Sequence, residues 1–156
     1  MTTNRLRPDR GWVNQKTHPR GPNGRGLCRF CGAEVPKGSR TFCNAAEVHE
    51  WKLRTQPAYL REQTWRRDHG ICSACGVDTD LLRKEAATLS RLDRVILLRA
   101  KGFCPTATLW QADHIVPVSE GGGQCGIDNI RTLCHPCHAT ATAALRKRLA
   151  ANRAKP

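Results

Sequence analysis

The sequence predicts a small α+β fold, with short helices and strands stapled by cysteine clusters instead of packed around one large core. Three observations carry that prediction. Cysteines recur as Cys-x-x-Cys pairs at 28 and 31, 72 and 75, and 134 and 137, a spacing that points two thiolates at one ion. Apolar residues keep helical spacing only over short blocks. The stretch Trp110–His138 reads as a strand, a loop broken by Gly121, Gly122 and Gly123, a returning strand and the start of a helix.

Each element follows from its residues. Residues 1–26 lack apolar periodicity and are punctuated by Pro8, Pro19, Gly21, Pro22, Gly24 and Gly26, which predicts an extended, disordered basic tail. Residues 27–54 form a zinc-knuckle segment in which Cys28 and Cys31 supply two thiolates and Cys43 a third. Spacing leaves two candidates for a fourth ligand: Glu47, one helical turn beyond Cys43, and His49. A further domain spans residues 55–150. Pro57 suits a first helical turn and Thr55 or Gln56 can cap it, so Ala58–Asp68 is expected as a helix ended by Gly70, with Arg66 and Arg67 available to phosphate.

Cys72 and Cys75 then find their complement in Cys134 and Cys137, and the two pairs complete a four-cysteine zinc site joining segments far apart in sequence. Leu81–Leu89 and Ser90–Ala100 have helical spacing and are read as packing elements. Leu109–Val118 and the pattern Ile127, Ile130, Leu133 predict the two strands of a hairpin with a wide turn. A helix is expected from near His135 to Ala150, followed by a basic tail over residues 151–156. Cys104 and Cys125 belong to no pair and are expected as buried thiols.

Composition bounds the function. A formal charge of +13 favours a polyanionic partner, and nucleic acid is the natural one. Arg131, Arg146, Lys147 and Arg148 join Arg66 and Arg67 as candidate phosphate contacts. An aromatic content of 5% argues against a surface that stacks on single strands. The amino terminus does not resemble a secretory signal, and paired thiols suit a reducing compartment, so an intracellular setting is expected, whether cytoplasmic, nucleoid-associated or nuclear. The longest aliphatic run, Val95–Leu98, is too short for a membrane span.

Once the cysteines are assigned, Asp113, His114, Asn129 and His138 remain around the glycine-rich loop, a set of oxygen and nitrogen ligands beyond what a structural site needs. Asp113-His114-Ile115-Val116-Pro117, Gly121-Gly122-Gly123, Asn129 through Cys134, and Cys137-His138 together resemble the HNH endonucleases, the ββα-metal nuclease superfamily. From Cys28 onward the chain is also similar to the HNH region at the tail of annealing helicases that remodel replication forks, and to stand-alone bacterial and phage relatives. The likeness covers most of residues 27–148. Where the family shows a cysteine in the first cluster, this chain has Glu47.

The resemblance implies a metal-dependent DNA endonuclease acting on double-stranded or branched DNA. His114 would serve as general base, with Asn129 orienting its imidazole, although in some relatives the equivalent asparagine binds the ion. Asp113 and His138 would hold one Mg²⁺ or Mn²⁺ beside the structural Zn²⁺. One such site cuts one strand, which predicts nicking. The rival class is a non-catalytic zinc module that binds DNA or serves as an adaptor; it leaves Asp113, His114 and Asn129 without a role. An RNA substrate is a second rival, because phosphate contacts do not identify the sugar.

Overall fold

The computed structural model describes residues 13–153. Residues 1–12 of the expected amino-terminal tail and residues 154–156 of the carboxy-terminal one lie outside the described residues. The helices are α1 (Ala45–Thr55), α2 (Pro57–Asp68), α3 (Thr79–Ala87), α4 (Arg91–Ala100) and α5 (His135–Arg153), and the strands are β1 (Trp110–His114) and β2 (Ile130–Cys134). Two compact units emerge. One holds the described residues through Leu60 together with Val116–Asn129; the other holds Arg61–Ile115 and the described residues from Ile130 onward. The loop between the strands is grouped with the amino-terminal unit.

In the first unit, the described part of the expected tail is folded rather than featureless. Glu34 organises it: its carboxylate accepts from the Asn23 and Arg25 backbone N–H groups at 3.0 and 2.8 Å and from the Asn23 side chain at 2.6 Å. Burial pushes the Glu34 carboxyl up, but these donors and the Arg25 guanidinium outweigh it and hold the group below the usual carboxylate range. Arg20 pairs with Gly26 and Leu27 with Glu34 in short antiparallel bridges. Helix α1 starts at Asn44, whose side chain accepts from the Glu47 N–H at 3.0 Å. A single residue, Gln56, separates α1 from Pro57 at the first position of α2.

In the second unit, α2 ends where His69 and Gly70 take positive φ angles of 51° and 75°. Asp78 and Ser90 cap α3 and α4 through their side-chain oxygens. The strands pair antiparallel, with Asp113 opposite Arg131 and Trp110 opposite Cys134. Both are shorter than the periodicity suggested, because residues 118–120 and 127–129 turn into 3-10 helices. Leu82, Ala86, Leu98, Phe103 and Leu133 form a buried cluster around Cys72 and Cys134. Cys104 is exposed and Cys125 half-buried, which corrects the expectation of two buried thiols.

A polar network ties α2 to β2. Arg67 donates to both carboxylate oxygens of Asp68 at 2.6 and 2.9 Å and to the Ile130 carbonyl at 2.7 Å, while the buried Thr132 hydroxyl donates to Asp68 at 2.8 Å. The Arg67 guanidinium, opposed by partial burial and helped by Thr132, holds the Asp68 carboxyl below its ordinary value. A lowered folded-state value means that the ionised group stabilises the fold above the unfolded value of about 3.9 and that the gain is lost only as pH falls below it. Asp68→Asn should therefore cost about 1.5 kcal/mol, the lower end for hydrogen bonds to a charged group, and should cost the same in urea melts at pH 7 and pH 5. A penalty that shrinks between those two values would show that the carboxyl is raised rather than lowered.

Candidate active site and cysteine clusters

The four thiols of Cys72, Cys75, Cys134 and Cys137 lie with their sulfurs within 4.8 Å of one another. The Cys75 and Cys134 sulfurs are 3.7 Å apart, and a tetrahedral zinc with bonds of about 2.3 Å requires about 3.8 Å. The knuckle is built by its backbone: Gly76 N–H returns to the Cys72 carbonyl at 2.8 Å, and Ser73 N–H donates to the Thr132 carbonyl of β2 at 2.9 Å. Burial pushes the Cys72 thiol up, but N–H groups of Cys134, Cys75 and Ala74 outweigh it and bring the thiol down to about 6. Burial drives Cys134 the other way. One ready thiolate among thiols that resist ionising beside it suits a site where a cation replaces the protons.

The amino-terminal cluster resolves the choice that spacing left open. Cys28, Cys31, Cys43 and Glu47 come together, and the sulfurs of Cys31 and Cys43 are 3.8 Å apart. Because Asn44 caps α1, Glu47 falls in its first turn, where its carboxylate accepts from the Cys28 thiol at 2.8 Å and from the Cys43 N–H at 3.2 Å. His49 lies off that face, and its Nδ1 is 2.8 Å from the Tyr59 hydroxyl. His49 is not part of the cluster. Burial, then the neighbouring Cys31 and Glu47, pushes the Cys43 thiol up to about 12.

In the second unit, Arg131 donates through Nε and Nη2 to Oδ2 of Asp113, at 3.0 and 2.9 Å. That ion pair follows from their cross-strand register. It leaves Oδ1 without a hydrogen bond among the described residues, 3.9 Å from Nε2 of His138 in α5. The gap is too long for a hydrogen bond. Two ligands with bonds of about 2.1 Å can share one divalent ion across such a gap, and a carboxylate oxygen with an imidazole nitrogen is a fitting donor pair. The imidazole of His114, half-buried at the last position of β1, makes no side-chain hydrogen bond among the described residues.

Asn129 works on the loop. Its Oδ1 accepts from Val116 N–H at 2.8 Å, and its two amide protons go to the carbonyls of Val116 at 3.1 Å and Gly122 at 3.0 Å. Gly122 is required there, since a Cβ would stand 1.7 Å from the Val116 carbonyl oxygen. Gly126 lies against Arg54 and Glu50, which pair with each other across one turn of α1. Of the candidate phosphate contacts, Arg66, Arg146, Lys147 and Arg148 are exposed. Arg67, also exposed, pairs with Asp68 and half-buried Arg131 with Asp113, while Arg66 pairs with Glu62 on the surface of α2. The role of Arg131 beside Asp113 was missed from sequence, where only the strand register could have shown it.

The family model for HNH endonucleases matches residues 101–143. The crystal structure of the human ZRANB3 HNH domain matches with a TM-score of 0.52 and 33% identity, over 62% of this chain and 94% of that one. The chain belongs to the HNH endonuclease family. Among curated proteins, the HNH relatives include the DNA annealing helicase and endonuclease ZRANB3 of Mus musculus, 35% identical over 77% of this chain, and that of Homo sapiens, 34% identical over 65%. The chain spans only 13% and 11% of those relatives' lengths. The small ββα arrangement of β1, β2 and α5 in this HNH chain, with two cysteine clusters able to bind zinc, accords with the fold expected from its residues.

If both clusters hold zinc, the purified protein should carry about two zinc ions per chain, and Cys134→Ser should lose one of them and melt at a lower temperature. Cys104→Ser, on an exposed thiol outside both clusters, should change neither. Equal zinc content in the parent and Cys134→Ser would rule out the four-cysteine site.

Proposed function

We propose that this chain is a metal-dependent DNA endonuclease that hydrolyses one phosphodiester bond per site. The observation that carries the reading is the Asp113 carboxylate, held on one oxygen by Arg131 and turned by the other toward His138. DNA as substrate is supported by the relatives, which are DNA annealing helicases and endonucleases, and by the chain's formal charge of +13. The paired thiols favour a reducing, intracellular setting.

Asp113 and His138 are the residues that would hold Mg²⁺ or Mn²⁺. Such an ion supplies positive charge to the phosphoryl oxygens as the bond to the leaving oxygen breaks. His114 takes the proton of the attacking water; its imidazole is spent on no other partner among the described residues. Arg131 fixes the Asp113 carboxylate and prevents it from turning away. Asn129 is assigned to clamping the loop after β1, since both its amide protons are committed to backbone carbonyls. Exposed Arg66, Arg146, Lys147 and Arg148 contact phosphates without reading sequence.

Supercoiled plasmid with Mg²⁺ or Mn²⁺ tests this. The parent should give open-circular DNA before linear DNA, at a rate first order in protein. His114→Ala should cut at least about a hundredfold more slowly, with the parent's zinc content and melting temperature. Cleavage by His114→Ala at the parent's rate would exclude it as the base, and linear product from the outset would show two sites acting together. A parent that binds plasmid without cutting it under either metal would return the chain to a binding module.

A further inference from the structure

The two cysteine clusters differ by one ligand, and the difference has chemical weight. Cys72, Cys75, Cys134 and Cys137 offer four thiols, whereas Cys28, Cys31 and Cys43 are completed by the Glu47 carboxylate. Zinc is a borderline-soft ion that thiolates hold strongly, while a carboxylate oxygen is a hard donor better matched to Mg²⁺, Ca²⁺ or Mn²⁺. Glu47 also has a second partner for the oxygen it turns to the sulfurs. Its Oε2 accepts from the Cys43 N–H at 3.2 Å as well as from the Cys28 thiol at 2.8 Å, so a carboxylate that leaves an ion keeps a hydrogen bond.

The surroundings of the two clusters differ in the same sense. In the first unit, the turns are closed by backbone hydrogen bonds of their own: Cys28 N–H donates to the Ala33 carbonyl at 2.7 Å, and Arg29 N–H to the Thr41 carbonyl at 2.9 Å. Asn44 caps α1 without help from a metal. Val35, Trp51 and Leu53 are buried in that unit, and the Arg29 guanidinium lies 4.0 Å from the Trp51 ring centroid. None of these contacts needs an ion. One thiol is exposed in each cluster, but in the second unit Cys72 and Cys134 are 1% and 2% exposed and belong to the buried apolar cluster with Leu82, Leu98 and Leu133. Releasing metal there disturbs the core. Around Glu47, Cys43 is only half-buried and Cys31 exposed, so water or a competing ligand reaches an ion directly.

We propose that the amino-terminal cluster is an exchangeable zinc site in which Glu47 is the ligand that leaves the ion, while the four-cysteine site keeps its zinc. The inference is independent of the endonuclease reading. To test it, the full chain is reconstituted with zinc, freed of excess, and mixed with a chromogenic zinc chelator at pH 8, near the ordinary thiol value of about 8.5, where protons compete little. One equivalent should leave at least about tenfold faster than the other, a difference of about 1.4 kcal/mol in barrier. Helical circular dichroism should survive the fast loss and fall with the slow one. Cys31→Ser should remove the fast equivalent and keep the slow one. Glu47→Cys should slow the fast equivalent at least about tenfold, and Glu47→Gln, which keeps an oxygen for the Cys43 N–H, should lose that zinc and retain the helical signal. A parent that retains one zinc, raised to two by Glu47→Cys, carries the same conclusion. Two zinc ions leaving the parent at one rate, one zinc in both parent and Glu47→Cys, or release from Glu47→Cys and Glu47→Gln at the parent's fast rate overturns it.

Discussion

Cys134 ends β2 and Cys137 stands in the first turn of α5, so an ion that joins them to Cys72 and Cys75 fixes the angle at which the helix leaves the strand. His138 is the next residue. Its distance from Asp113 is therefore set by the clip and by the strand pairing that places Asp113 opposite Arg131. The apolar cluster around the clip is small, and zinc bound there would supply part of the folding free energy. Structural metal and candidate active site are in this sense one construction: the first holds the scaffold on which the second has its geometry.

Much of this was legible because the signals are local and chemically sharp. A Cys-x-x-Cys knuckle has few other uses in a reducing setting, so the pairing of residues 72 and 75 with 134 and 137 could be read before any fold was known. Helix limits followed from Pro57, Gly70 and Ser90, each acting on its own backbone. The Asp-His pair at the end of a strand, a glycine-rich loop and a later histidine then pointed to the family.

What was not legible depended on three-dimensional register. Spacing could not separate Glu47 from His49; the Asn44 cap does so by fixing which face of α1 begins at Cys43. Arg67 and Arg131 look in sequence like any other surface arginines, but strand pairing and the α2 terminus turn them onto Asp113, Asp68 and a backbone carbonyl. Residues 14–26 looked like a tail because nothing in them is apolar, and the contacts they make, from Asn23 and Arg25 to Glu34 and from His18 to the Leu27 carbonyl, are polar ones that periodicity does not show.

The proposed cleavage depends most on Asp113 and His138 sharing one divalent ion on a scaffold fixed by cysteine-bound zinc. Anomalous diffraction from crystals grown with Mn²⁺, recorded at the zinc and manganese edges, tests that claim directly. It should show zinc at both cysteine clusters and manganese between Oδ1 of Asp113 and Nε2 of His138. Zinc at the clusters with no manganese at that pair, or manganese bound elsewhere on the chain, would contradict it.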